Sequence, residues 1–216
     1  MQKVLLADDH DIIVSGLKII LEQFPNEFAV VSCCSHGQGV LDFFDKNTAD
    51  VYVLDIAMPH VNGLEAARLI LQKQKHAKVV LLSMHDNRDY LRRALALGVH
   101  GYILKERAAE EIVDALRVVA RGEQYLSPKI KAQVDQGHIC VHRDTDRPSA
   151  VSDLSVKERQ VLQMVAEGKS AVEIGNQMDI AEGTVNVHKK NVMRKLNLHK
   201  QADLVRFAIK EGLVIL

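Results

Sequence analysis

The sequence predicts a chain of two domains: a five-stranded, doubly wound parallel α/β sheet, then a small all-α domain of four helices. Three observations carry this. Residues 1–125 alternate short Val/Leu/Ile runs with longer amphipathic stretches, as βα repeats do when their strands are buried on both faces. From Ser152 to Leu216 helical patterning continues without a strand signal. The stretch between, 126–151, is polar and irregular and contains Gly137 and Pro148, as a linker would. A length of 216 residues, 47 % of them hydrophobic, is comfortable for two cores.

The expected strands are Val4 to Ala7, Phe28 to Cys33, Val51 to Leu54, Val79 to Leu82 and Gly101 to Leu104, each read as a central strand of one sheet. Helical patterning occupies Ile12 to Gln23, Gln38 to Lys46, Leu64 to Gln74, Arg88 to Leu97 and Ala108 to Arg121, with Gly98 and Gly122 where C-terminal caps belong. Ser127-Pro128 is a start signal for one short helix inside the linker. In the second domain Ser155-Val-Lys-Glu158 and Ser170-Ala-Val-Glu173 fit the capping box. There a hydroxyl and a carboxylate satisfy each other's free backbone N–H groups.

Composition narrows the class. No window approaches the roughly 20 apolar residues that span a bilayer, so a soluble, uncleaved chain with no membrane partner is expected. The three cysteines, Cys33, Cys34 and Cys140, are odd in number with two adjacent, which argues against a disulfide framework and for the cytoplasm. Net charge is zero, +2 from Ser152 onward and −2 before it, which excludes a chain coating nucleic acid along its whole length but not a local basic patch.

In an open parallel sheet, ligands bind beyond the carboxyl ends of the strands. The first predicted strand runs into Asp8-Asp9, the third into Asp55, the fourth into Ser83 and the fifth into Lys105. Three carboxylates on one rim repel one another unless a cation joins them, and hard oxygen ligands suit Mg²⁺. Lys105 adds a fixed positive charge and Ser83 a hydrogen-bond donor, which together suit the oxygens of a transferred phosphoryl group. Any one of these acids alone reads as a loop or cap residue. Five placed groups point to phosphoryl transfer onto a carboxylate.

The segments VLLADDHDIIVSGL, VLDIAMPHVNGLEA, VVLLSMHD and GVHGYILK resemble the flavodoxin-like receiver domain of bacterial two-component response regulators. The resemblance spans the whole first domain. It implies that Asp55 accepts the phosphoryl group from a sensor histidine kinase. It also implies that Asp8, Asp9, Asp55 and the Ala57 carbonyl hold Mg²⁺, that Ser83 and Lys105 contact the phosphate, and that Ser83 and Tyr102 form the switch pair. Such a domain accepts a phosphoryl group and can release it by autodephosphorylation, without being an enzyme toward other substrates. Glu106 stands where many receivers carry a cis-proline, a departure that loses a rigid turn and not the chemistry.

Within the second domain, Ala171 to Met178, a short turn and Gly183 to Leu196 have helix-turn-helix proportions. Val185, Val192 and Leu196 fall on one side of the second helix, and Asn186, Val187, Lys190, Asn191 and Arg194 on the other. Lys189, Lys190, Arg194 and Lys195 supply charge for phosphates, Asn and Lys can bond base edges, and Val187 can touch a thymine methyl. The stretch from Leu154 to Leu198 is similar to the LuxR-type helix-turn-helix of the NarL/FixJ subfamily, with Glu158, Gly168, Ile174, Thr184, Val185, His188 and Lys195 among the matching positions. Asn186 and Lys189-Lys190 depart from the commoner residues, so base preference does not carry over. The resemblance implies double-stranded DNA as partner, with a palindromic site. It implies too that the active form is a homodimer paired through the last helix, where Leu204, Val205, Ala208 and Ile209 form an apolar flank.

Two other readings are open to these residues. Aspartate-based phosphohydrolases share the acid, metal and lysine chemistry, but place an Asp-x-Asp after the first strand, which Asp8-Asp9 is not. A metal- or redox-sensing regulator would use His138-Ile-Cys140-Val-His142 in the linker, or Cys33-Cys34-Ser-His36.

Overall fold

The computed structural model describes residues 1–59, 61–74, 76–84, 88–136, 154–210 and 213. The chain divides into two compact units, Met1–Arg143 and Asp144–Leu216. The linker residues His138, Cys140 and His142 lie outside the described residues.

The first unit is a parallel sheet of β1 (Gln2–Ala7), β2 (Phe28–Cys34), β3 (Val51–Asp55), β4 (Lys78–Ser83), β5 (Gly101–Leu104) and β6 (Tyr125–Leu126), in the order β2-β1-β3-β4-β5-β6. Because β1 lies between β2 and β3, the winding reverses there, and the carboxyl ends of β1 and β3 open side by side onto one crevice. Strand side chains alternate between faces. Val4, Leu6, Val53, Leu82 and Ile103 pack under α1 (Asp11–Glu22) and α5 (Ala108–Ala120). Leu5, Tyr52, Leu54, Leu81 and Tyr102 pack under α2 (Gly37–Lys46), α3 (Gly63–Lys73) and α4 (Arg88–Leu97). Gly98 and Gly122 take the positive φ of helix C-caps, as expected.

Three expectations are corrected. β2 is an edge strand, not a central one: its burial alternates, Cys33 is exposed and Cys34 half-buried. A sixth strand, β6, covers the free edge of β5. The short helix opened by Ser127-Pro128 forms as α6 (Pro128–Asp135), but the start of the stretch read as linker packs on the first unit, with Ile130 fully buried in its core. The buried Ser127 does not cap α6. Its Oγ accepts from the Leu104 N–H at 3.1 Å and donates to buried Glu111 at 2.5 Å, and Glu111 also accepts from Arg107 Nε at 2.6 Å. That network ties β6 to the 3-10 turn Lys105–Arg107.

The loop after β3 is held by Gly63, whose N–H donates to Ile56 O at 3.1 Å; a β-carbon there would overlap the Asp55 carbonyl oxygen. Gly63→Ala is therefore expected to destabilise the unit by about 1–3 kcal/mol and displace the Asp55 loop. The midpoint of urea unfolding reads the first effect.

The second unit contains α7 (Val156–Ala166), α8 (Ala171–Met178), α9 (Glu182–Lys195) and α10 (Gln201–Lys210). Both capping boxes form, with Ser155 and Ser170 receiving the N–H groups of Glu158 and Glu173 and returning their own to those carboxylates. Two small cores sit around α7. One joins Leu154, Leu162, Val192, Leu204 and Ala208, the other Val161, Met164, Val165, Ile174 and Val185. The α8–α9 turn closes where Ile180 N–H donates to Gly175 O at 3.0 Å, and Gly175 has no room for a β-carbon against Ile180 O.

Candidate phosphoacceptor and nucleic-acid sites

At the crevice, the Lys105 ammonium sits 2.8 Å from Asp8 Oδ2 and 2.9 Å from Asp55 Oδ2, with all three side chains almost wholly buried. Asp55 ends β3 and Asp8 follows β1, so the parallel pairing of those strands brings the acids together. Ser83 ends β4, one residue beyond the partner of Asp55 in the register, and is buried. Asp9 is partly exposed and Ala57 exposed beside them. Tyr102 is fully buried on β5, opposite Leu81.

Two carboxylates facing one ammonium leave a net negative charge out of water, which is costly unless a further cation compensates it. Burial accordingly pushes the Asp55 carboxyl above its ordinary value; the Lys105 hydrogen bond and charge and the Ala57 N–H oppose the rise, and Asp8 adds to it. Both Asp55 carboxylate oxygens are buried. These are the marks of a place that accepts a cation.

Sequence reasoning missed His10. Its Nδ1 lies 3.0 Å from Asp8 Oδ1 and 2.8 Å from Asp9 Oδ1, and the Asp8 hydrogen bond, then the Asp9 charge, raise its pKa. Among the described residues, the His/Cys/Asp/Glu group able to hold a metal ion is Asp8, Asp9, His10 and Asp55. Cys33 and Cys34 do not join it, and burial pushes both thiols up, away from thiolate chemistry. His36 Nδ1 accepts from the Gly39 N–H at 2.9 Å and so caps α2.

In the second unit α9 buries Val185 and Val192 and exposes Thr184, Asn186, Val187, Lys190 and Arg194; Asn191 and Lys189 are half-buried. Val187 is 57 % exposed, an apolar side chain with no core to fill. Lys189 donates to Gln201 at 2.7 Å, across to α10. Lys195, expected at phosphates, is exposed and pairs with buried Glu158 Oε2 at 2.7 Å, which holds α9 against α7. This pair and the Ser155 hydrogen bonds overcome burial and hold the Glu158 carboxyl below its ordinary range. Leu204 and Ala208, expected at a dimer face, are buried in their own unit's core; of that flank only Val205 and Ile209 keep partial exposure.

The pattern described as "Response regulator receiver domain" matches residues 4–117, and that described as "Bacterial regulatory proteins, luxR family" matches residues 152–208. The chain is similar to the transcriptional regulatory protein DegU of Brevibacillus brevis, at 34 % identity over 98 % of this chain and 94 % of that protein. It is similar to the response regulator UvrY of Escherichia coli K12, at 32 % identity over 99 % and 96 %. A solved structure of RcsB from Salmonella enterica serovar Typhimurium, bound to promoter P1flhDC in the presence of phosphomimetic BeF3-, covers 95 % of this chain and 97 % of its own with a TM-score of 0.55 and 25 % identity. No helix among the described residues is long and apolar enough to cross a membrane. The chain belongs to the response-regulator family, as a receiver domain followed by a LuxR-type helix-turn-helix domain: a phosphorylation-regulated transcription regulator.

Proposed function

We propose that Asp55 is the phosphoacceptor and that its phosphorylation by a sensor histidine kinase in the cytoplasm changes how α9 binds double-stranded DNA. The observation that carries this is the Lys105 ammonium buried between Asp8 and Asp55 at the sheet's switch point. An Asp55 carboxylate oxygen attacks the phosphorus of a phosphohistidine; the P–N bond breaks, the electron pair returns to the imidazole and an acyl phosphate forms. Asp8, Asp9, Asp55 and the Ala57 carbonyl would hold Mg²⁺, which supplies positive charge against the phosphoryl oxygens when bound.

The chain's own groups do the rest. Lys105 turns from the two acids to a phosphoryl oxygen, and the Ser83 hydroxyl donates to another. These new contacts are the differential interaction that biases one conformation over another. Movement of Ser83 leaves space that Tyr102, packed on the adjacent strand, takes up by changing rotamer. The domain dephosphorylates itself and acts on no other substrate. The output is a homodimer on a palindromic site, with Val205 and Ile209 of α10 offered to the partner copy and Asn186, Val187, Lys190, Asn191 and Arg194 to the major groove.

Incubation with acetyl phosphate and Mg²⁺ tests the chemistry. One hydroxylamine-labile phosphoryl group per chain is expected, and its formation stops when a chelator removes the divalent cation. Label that resists hydroxylamine, or forms equally in chelator, rules out an acyl phosphate made at a cation site.

A further inference from the structure

We propose that His10 is a nitrogen ligand of the cation site, so that this chain selects a first-row transition cation such as Mn²⁺ over Mg²⁺ more strongly than carboxylates alone would. This rests on the cation site proposed above and adds a residue and a selectivity to it.

The geometry comes first. An octahedral cation with bonds of about 2.1 Å places neighbouring ligand atoms about 3.0 Å apart and opposite ones about 4.2 Å apart. His10 Nδ1 stands 2.8 Å from Asp9 Oδ1 and 3.0 Å from Asp8 Oδ1, the spacing of adjacent corners. One ligand atom from each of Asp8, Asp9, His10 and Asp55 falls within 4.8 Å of the others. Buried Asp8 and Asp55 share the one Lys105 ammonium, two negative charges against one positive, which is an independent sign that the set takes up a further cation.

The ring is also committed to this place by local structure. His10 occupies the N-cap of α1, yet its side chain makes no capping hydrogen bond. The His10 backbone N–H instead donates to Asp8 Oδ1 at 2.9 Å, which folds the residue back over the acids. The imidazole is 53 % exposed, and its Nδ1 edge faces Asp8 and Asp9.

The chemistry then sets the preference. Mg²⁺ takes hard oxygen ligands and gives up water reluctantly, so an imidazole adds little to its binding. First-row transition cations accept imidazole nitrogen well, so a mixed set of carboxylates and one imidazole shifts selectivity toward them.

Mn²⁺ loaded into the full-length chain and examined by pulsed electron paramagnetic resonance is the probe. The expected result is the modulation of one directly bound ¹⁴N, absent in His10→Asn. In parallel titrations His10→Asn should lose on the order of tenfold or more in Mn²⁺ affinity, with Mg²⁺ affinity retained. Mn²⁺ bound without ¹⁴N modulation, modulation that survives in His10→Asn, or equal losses for both metals would overturn the proposal. If Mn²⁺ and Mg²⁺ bind wild type no better than Asp8→Asn, the cation site itself fails, and His10 with it.

Discussion

Asp55→Asn takes no phosphoryl group from acetyl phosphate and Mg²⁺ under conditions that label the wild type, and it does so as a folded protein. The amide has nearly the shape of the carboxylate but neither its charge nor a nucleophilic oxygen, so the attack on phosphorus is lost. What remains is the Asp8–Lys105 pair at 2.8 Å, one negative charge against one positive. Burial works against the Asp55 charge in the folded chain. Its removal therefore relieves an electrostatic cost, and without added cation the variant should be at least as stable as wild type. Intact-protein mass reads the label and thermal unfolding the stability. Wild-type labelling of the variant would place the acceptor elsewhere, whereas an unfolded variant would mean that Asp55 is chiefly structural.

The combined variant Lys190→Ala, Arg194→Ala loses DNA affinity by on the order of 1–3 kcal/mol or more, with phosphorylation intact. Both side chains stand on the exposed face of α9, and neither belongs to the cores that hold the helix in place. If both contact phosphates, the slope of log affinity against log salt should fall by about two. Lys195→Ala is different in kind. It leaves Glu158 buried without its ion-pair partner and should lower the unit's stability, so its effect on DNA binding would come through α9 docking. A salt series for the double variant, beside a melting curve for Lys195→Ala, separates the two roles. Unchanged DNA binding by the double variant would put the reading surface on another face.

Much of this was legible in the sequence because the signals were local. Near-continuous apolar runs marked β1, β3 and β4, and the residue after each run supplied the pocket. Periodicity does not encode strand order, so it could not show that β2 lies at the edge with Cys33 exposed. β6 is two residues long, too short for any pattern, and its pairing is with a strand more than 20 residues earlier. The wheel of α10 found an apolar flank without saying whether it faces a partner or its own unit; Leu204 and Ala208 face their own. Lys195 offered a charge, but its acceptor, Glu158, is 37 residues away. His10 was in plain view beside Asp8-Asp9. The turn that brings its ring within 3.0 Å of both acids is a three-dimensional feature that the sequence does not spell out.

DNA affinity before and after phosphorylation, measured in parallel on wild type and Asp55→Asn, bears most directly on the switch. The probe is a duplex selected from random sequence by phosphorylated wild-type protein, titrated at fixed salt with Mg²⁺ present throughout. Acetyl phosphate should shift the wild-type affinity and leave that of Asp55→Asn unchanged. An equal shift in both proteins, or none in a wild type shown to be phosphorylated, would contradict a DNA-binding switch operated through Asp55.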